Sequence, residues 1–157
     1  MTDASQTTGT EHLPRRLGRR DSRDAGASPS SESRQGVTAA AGFRAAGVTA
    51  GLKTSGKPDV ALVVNDGPDA AVAAVFTSNR AQAHPVIWSR QAVGDGVARA
   101  VVLTSGGANC FTGPFGFQTT HMTAEAVGDA PGIGAGDAVV CSTGLIGHGG
   151  HDFRDRI

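Results

Sequence analysis

The first 35 residues contain no Val, Ile, Phe, Trp or Tyr, so any fold this chain adopts is built from residue 36 onward. Ser, Thr, Arg, Asp and Gly dominate the stretch, a composition that cannot bury enough apolar surface to offset the entropy of ordering the chain. It reads as a disordered N-terminal extension. Its cluster Arg15-Arg16-Leu17-Gly18-Arg19-Arg20 could be a nucleic-acid patch or a twin-arginine export signal. An export signal needs an apolar stretch behind the arginines, and Asp21-Ser22-Arg23-Asp24 stands there instead. Asp3, Glu11, Asp21, Asp24 and Glu32 nearly balance the six arginines of the stretch, which weakens the nucleic-acid reading too. A solvated tail without chemistry of its own is the simpler account.

What remains is enough chain for one domain. With 157 residues and a formal net charge of zero, the protein lacks the sustained basic field that nucleic acid or an anionic membrane selects. No apolar run approaches the roughly 18 residues of a membrane helix; the longest are short, such as Val60–Val64 and Ala70–Phe76. Two cysteines, Cys110 and Cys141, are too few for a disulfide scaffold and fit a reducing, cytoplasmic compartment. Arginine outnumbers lysine 12 to 2, which reads as genomic composition bias rather than function.

From Gly36 the pattern is strand-like. Gly42–Lys53 is rich in small residues and reads as extended. Asp59–Val64 and Ala71–Thr77 are apolar runs separated by Asn65-Asp66-Gly67-Pro68, where Asp-Gly supplies a positive φ and Pro fixes the next residue. That pattern predicts an antiparallel hairpin. Val86–Ser89, with Pro85 ahead of it, is a further strand candidate, followed by a short helix over Ser89–Gly94. Arg99–Thr104 reads as a buried strand and Ser105-Gly106-Gly107-Ala108-Asn109 as a loop. Thr112-Gly113-Pro114 opens a helix with Thr112 as N-cap, running to about Val127 and stopping at Gly128. Its inner face is expected to carry Phe117, His121, Ala124 and Val127. Ile133–Asp137 then turns into a strand at Ala138–Ser142, beyond which the chain is glycine-rich and loses its pattern.

About 110 residues carry strand or helix pattern, and most of their side chains are Ala, Val or Gly. At about 25 cal/mol per Å² buried, such side chains contribute little each. A sheet of this kind gains from burying a face against something else, which points to an incomplete unit or an obligate partner.

Few residues combine into a chemical site. Gly132-Ile133-Gly134-Ala135-Gly136 has the wrong spacing for a dinucleotide loop and precedes a strand instead of following one, so a plain turn accounts for it. His148 and His151 lack a carboxylate or cysteine at a spacing that completes a metal site, and their segment reads as unstructured. His121 is more simply a core or surface histidine than a base. Cys141 reads as a small buried hydrophobe and Cys110 as a more accessible loop residue with no base beside it. Cys141-Ser142-Thr143-Gly144 offers more. A strand ending in Thr-Gly presents a hydroxyl and a backbone N–H at the sheet edge, the two donors an oxyanion hole needs. A strand-to-loop turn explains the same spacing.

Seven ordered blocks between Gly36 and Gly147 carry a resemblance. They are Gly36-Val37-Thr38-Ala39 with Gly42-Phe43-Arg44-Ala45-Ala46-Gly47; Lys57-Pro58-Asp59-Val60-Ala61-Leu62-Val63; Ala74-Val75-Phe76-Thr77-Ser78-Asn79-Arg80; Ala83-His84-Pro85-Val86 with Ser89-Arg90; Val101-Val102-Leu103-Thr104-Ser105-Gly106-Gly107-Ala108-Asn109; Thr112-Gly113; and Cys141-Ser142-Thr143-Gly144-Leu145-Ile146-Gly147. Together they resemble the N-terminal part of the ornithine acetyltransferase family, the glutamate N-acetyltransferases of the arginine pathway. Thr104 stands where that family usually has asparagine.

The resemblance implies an α/β fold: part of an N-terminal-nucleophile-like αββα sandwich, mainly antiparallel sheet with one or two helices. Family members are made as one precursor that cleaves itself before a threonine. The new N-terminal threonine is then the nucleophile, activated by its own α-amine. It carries acetyl from N-acetylornithine to glutamate in a ping-pong cycle, without metal or organic cofactor. Acetyl-CoA is a further donor for some members, and α and β chains assemble as an α2β2 heterotetramer. Carried over residue by residue, the family's oxyanion hole falls on Thr143 (hydroxyl) and Gly144 (N–H).

Residues 148–157 depart from the family, which continues there with a leucine-proline-methionine segment and reaches its cleavage threonine well downstream. The expected organisation is therefore an extension at 1–35, the N-terminal part of an acetyltransferase domain at 36–147, and a non-family tail at 148–157. No nucleophilic threonine of the family's kind falls within this chain, and a polypeptide carrying the oxyanion half alone is expected to be inactive. The alternatives are a truncated or frameshifted remnant, a subunit complemented in trans, and an unrelated small α/β ligand-binding domain; the last does not explain seven ordered blocks.

Overall fold

The computed structural model describes residues 36–129 and 132–156; the extension read over 1–35 lies outside them. Four segments form strands, β1 (Phe43–Val48), built mostly of small residues, and the valine-bearing β2 (Val60–Asn65), β3 (Ala100–Gly107) and β4 (Ala138–Leu145), arranged in one sheet in the order β1-β2-β3-β4. The first two pairings are antiparallel and β3–β4 is parallel. A parallel pair needs a crossover, and helix α2 (Gly113–Gly128) supplies it. The architecture is thus the expected α/β one, a mainly antiparallel sheet with two helices, the second being α1 (His84–Ala92).

The registers set Leu62 opposite Val102 and Val102 opposite Val140, so alternate residues line one face. On that face Val64, Ala100, Val102, Ala138 and Val140 pack with Ala124 and Val127 of α2 and with Ile133. The opposite face is left open: Leu103 is 41% exposed and its register partner Cys141 is exposed too. β1 is exposed along its whole length.

Several expectations need correction. Ala71–Thr77 does not form a hairpin with β2. Asn65-Asp66-Gly67-Pro68 does turn the chain: Asn65 Oδ1 accepts from Gly67 N–H at 2.9 Å, Asp66 N–H reaches Gly42 O, and Arg44 pairs with the Asp66 carboxylate. The turn leads away from β2, whose two edges are already taken by β1 and β3. Only Ala71 keeps a bridge, to Val97, and Val75 is 99% exposed.

Val86–Ser89 is helix, not strand, because Pro85 sits in the first turn of α1, where its missing N–H costs nothing. β3 and β4 both outrun their apolar runs, through Gly107 and Leu145. Backbone pairing needs no side chain, so these glycine-rich ends still join the ladder.

The inner face of α2 is also different. Phe117 and His121 are exposed, whereas Gly116, Thr119, Thr120, Thr123, Ala124 and Val127 are buried. The threonines enter the core because their hydroxyls bond back to the helix: Thr119 to Phe115 O, Thr120 to Gly116 O and Thr123 to Thr119 O, at 2.7–3.1 Å.

The cysteines exchange places. Cys110 is 5% exposed, held where Cys110 O accepts from Gly147 N–H, and Cys141 lies on the open face. Residues 148–156 are not loose either. A short 3-10 turn at His151–Phe153 buries Phe153 at 5% exposure, and Arg156 bonds Gly51 O.

Candidate active site

The parallel strands β3 and β4 end together, with Thr143 in register with Ser105 and Gly144 with Gly106. Ser105 turns its N–H toward β2, donating to Asp59 O at 2.8 Å. Thr143 must therefore supply the backbone groups that join β4 to β3 at this step, and the N–H of Gly144 points to the outer edge of β4. This is the edge on which Val140 N–H meets the Ser89 hydroxyl. Thr143 is exposed, and no hydrogen bond among the described residues occupies its hydroxyl. A hydroxyl and an outward N–H thus stand side by side at the end of the strand.

Gly144 is required there by geometry. Its φ is +138°, and a Cβ at this position would lie 2.6 Å from Gly107 N and 2.7 Å from Gly106 C. Gly106 mirrors it on β3 with φ +139°, where a Cβ would lie 2.7 Å from Leu52 O. The two strand ends approach more closely than any side chain permits.

Buried and half-buried polar groups outside the expected set hold this frame. Ser89 and Trp88 of α1 bond the β4 edge, Trp88 Nε1–H to Ala138 O at 3.0 Å. Asp59, 3% exposed, accepts from Ala50 N–H at 2.7 Å and Lys53 N–H at 2.9 Å. Burial pushes its pKa up, but the N–H donors of Lys53, Ala50 and Leu52 outweigh that and hold the carboxyl below its ordinary range. Sequence periodicity cannot find such residues, because a polar residue in a strand or helix becomes visible only through its tertiary partner.

The other sequence candidates do not converge on Thr143. His121 stacks edge-on against Trp88 at 5.0 Å and stands 3.3 Å from Glu125. His151 lies edge-on to Phe115 at 5.5 Å, and His148 O accepts from Asn109 N–H. Among the described residues no group of three or more His, Cys, Asp or Glu is placed to hold a metal ion, and no helix is long and apolar enough to cross a membrane. Within the Gly132–Gly136 segment, Ala135 and Gly136 open a 3-10 turn.

Residues 44–150 match the model of the ArgJ family. The chain is 64% identical over 111 residues to the arginine biosynthesis bifunctional protein ArgJ of Streptomyces coelicolor, covering 71% of this chain and 29% of that protein. It is 58% identical over 118 residues to the protein of the same name from Mycobacterium leprae, again over 29% of the relative. The chain thus spans less than a third of the length of these curated relatives. Among solved structures, the ornithine acetyltransferase of Mycobacterium tuberculosis in complex with ornithine superposes with a TM-score of 0.70 at 55% identity, covering 75% of this chain and 64% of that one. The ArgJ protein of Bacillus halodurans superposes with a TM-score of 0.67 at 32% identity, covering 73% and 60%. On the family match and these identities, the chain belongs to the ArgJ family.

Proposed function

We propose that this chain is a segment of an acetyltransferase that moves acetyl from N-acetylornithine to glutamate in arginine biosynthesis, in the cytoplasm, and that Thr143 and Gly144 are its oxyanion donors. The observation that carries the reading is an exposed Thr143, whose hydroxyl bonds none of the described residues, next to a Gly144 N–H that the β3–β4 register turns outward.

When a nucleophilic hydroxyl attacks the acetyl carbonyl, the C=O π pair moves onto oxygen and a tetrahedral oxyanion forms. Two donors held in place before the reaction stabilise that charge without reorganising. Collapse breaks the C–N bond, the ornithine amine leaves with a proton, and an acetyl ester remains. The α-amine of glutamate then attacks the ester through a second oxyanion at the same donors; collapse breaks the ester C–O bond, the proton lost by the glutamate nitrogen passes to the departing alkoxide, and N-acetylglutamate leaves with the hydroxyl restored. The nucleophile comes from a further polypeptide segment, the counterpart of the family's β chain in an α2β2 assembly, and the 157-residue chain alone does not turn over. In this reading residues 36–147 are the acetyltransferase part.

A chimera tests the assignment. Residues 36–150 of this chain replace their counterpart in the Streptomyces coelicolor relative, and acetyl transfer from N-acetylornithine to glutamate is measured. The chimera is expected to be active, with Thr143→Ala lowering kcat by about 10²–10³ and leaving KM nearly unchanged. An inactive but folded chimera, or a loss below about tenfold, refutes the assignment.

The open sheet face and exposed β1 favour a second reading, in which the chain is a subunit completed in trans. Co-expression with the remaining segment of the same relative should then recover activity that neither part has alone.

A further inference from the structure

Asn109 is a densely hydrogen-bonded polar residue next to the strand ends, and nothing in composition or spacing marks it. It is 3% exposed and, at φ +50°, holds a left-handed conformation. Its side-chain Nδ2 donates to Gly116 O at 2.8 Å and to Thr120 Oγ1 at 2.9 Å, and its Oδ1 accepts from the Thr112 hydroxyl at 2.5 Å. Gly116 O can only accept, so the orientation of the carboxamide is determined by its partners. The backbone is as fully used: Asn109 N–H donates to His148 O at 2.7 Å, and Asn109 O accepts from His84 N–H at 3.1 Å.

These bonds join four pieces of chain. Asn109 ends the segment leaving β3; Thr112, Gly116 and Thr120 belong to the start of α2; His84 begins α1; His148 lies in the turn that follows β4. Two neighbouring bonds tie that turn down as well, Ala108 N–H to Leu145 O at 3.0 Å and Gly147 N–H to Cys110 O at 2.8 Å. The packing leaves no slack, since a Cβ on Gly116 would collide with Thr112 Oγ1, Asn109 Oδ1 and His84 Cδ2.

We propose that Asn109 is a positioning residue: its carboxamide clamps the start of α2 to the segment after β3, and the backbone N–H groups of Asn109 and Ala108 in that clamped segment hold His148 and Leu145, which sets where β4 ends and how Thr143 and Gly144 are presented. Its bearing on catalysis rests on the oxyanion assignment above; the placement of the strand ends does not.

The test uses the whole 157-residue chain and amide hydrogen exchange. Asn109→Gly keeps the left-handed backbone open and removes the side chain with its carboxamide, leaving the Asn109 backbone groups in place. The amides of Ala108, Thr143 and Leu145 should then exchange about tenfold faster or more, while Val64, Val102 and Val140 keep their rates. Unchanged rates at Ala108, Thr143 and Leu145, or an equal acceleration everywhere, overturn the proposal. If Asn109→Gly does not fold, Thr112→Val removes just the donor to Oδ1 and should give the same local pattern at smaller size; a folded Thr112→Val chain without it is equally fatal. In the active chimera, Asn109→Gly should lower kcat with KM unchanged, and the loss should shrink when Thr143 is already Ala. A localised exchange effect alongside a catalytically silent Thr143→Ala would leave the positioning role standing and remove the oxyanion assignment.

Discussion

The Ser89 hydroxyl satisfies both backbone groups of Val140, accepting from its N–H at 3.0 Å and donating to its carbonyl at 2.8 Å. β4 is an edge strand, and one side chain of α1 does there what a neighbouring strand would do. Trp88, the preceding residue, bonds Ala138 O on the same edge.

Removing that hydroxyl leaves two buried backbone groups unpaired. Ser89→Ala should destabilise the chain by about 2 kcal/mol or more, read from the midpoint of a urea titration at constant slope. A shift worth less than about 0.5 kcal/mol would mean that water replaces the hydroxyl at no cost.

Gly144→Ala places a Cβ against the Gly106–Gly107 backbone at a φ that alanine rarely adopts. The expected loss is about 2–3 kcal/mol, or a strand end that peels away from β3. Exchange at Thr143 and Leu145 distinguishes the two.

Stability should fall with acid in two stages. Burial lowers the pKa of His84, partly offset by its bond to the Gly113 backbone. The unfolded chain therefore binds the proton first, and stability begins to fall as pH drops through the ordinary histidine value of about 6.5. Asp59 is also lowered, so its contribution is complete above about pH 3.9 and is lost as pH falls through its folded value. His84→Gln should flatten the first stage alone and Asp59→Asn the second, in melting curves taken from pH 8 to pH 3.

Val75 offers a control. Sequence pattern puts it in a hairpin strand, yet it is 99% exposed. Val75→Thr should change stability by less than about 0.5 kcal/mol in the isolated chain. A larger loss would show that Ala71–Thr77 pairs after all.

The fold is legible in the sequence where local chemistry and burial agree. The apolar runs at Val60–Val64, Arg99–Thr104 and Ala138–Ser142 became β2, β3 and β4, and Thr112-Gly113-Pro114 opened α2 at the expected place. Even there the mechanism differed: the Thr112 hydroxyl bonds Asn109 and makes no cap bond to the helix. Thr143 and Gly144 were legible as a strand-end pair with a resemblance behind it, and Ser89, Asp59 and Asn109 were not, because nothing local marks a polar residue whose partner is distant in sequence.

By itself, then, the sequence determined which segments are apolar enough to be strands, where α2 starts, and which family the chain resembles. Only the tertiary structure decided that Val86–Ser89 coils into a helix, that Ala71–Thr77 is left without a pairing strand, and that Cys110 is buried and Cys141 exposed. The reason is physical. Apolar periodicity states that a residue prefers to leave water, whereas which edge of β2 is free, and which face of the sheet is covered, depends on partners distant in sequence.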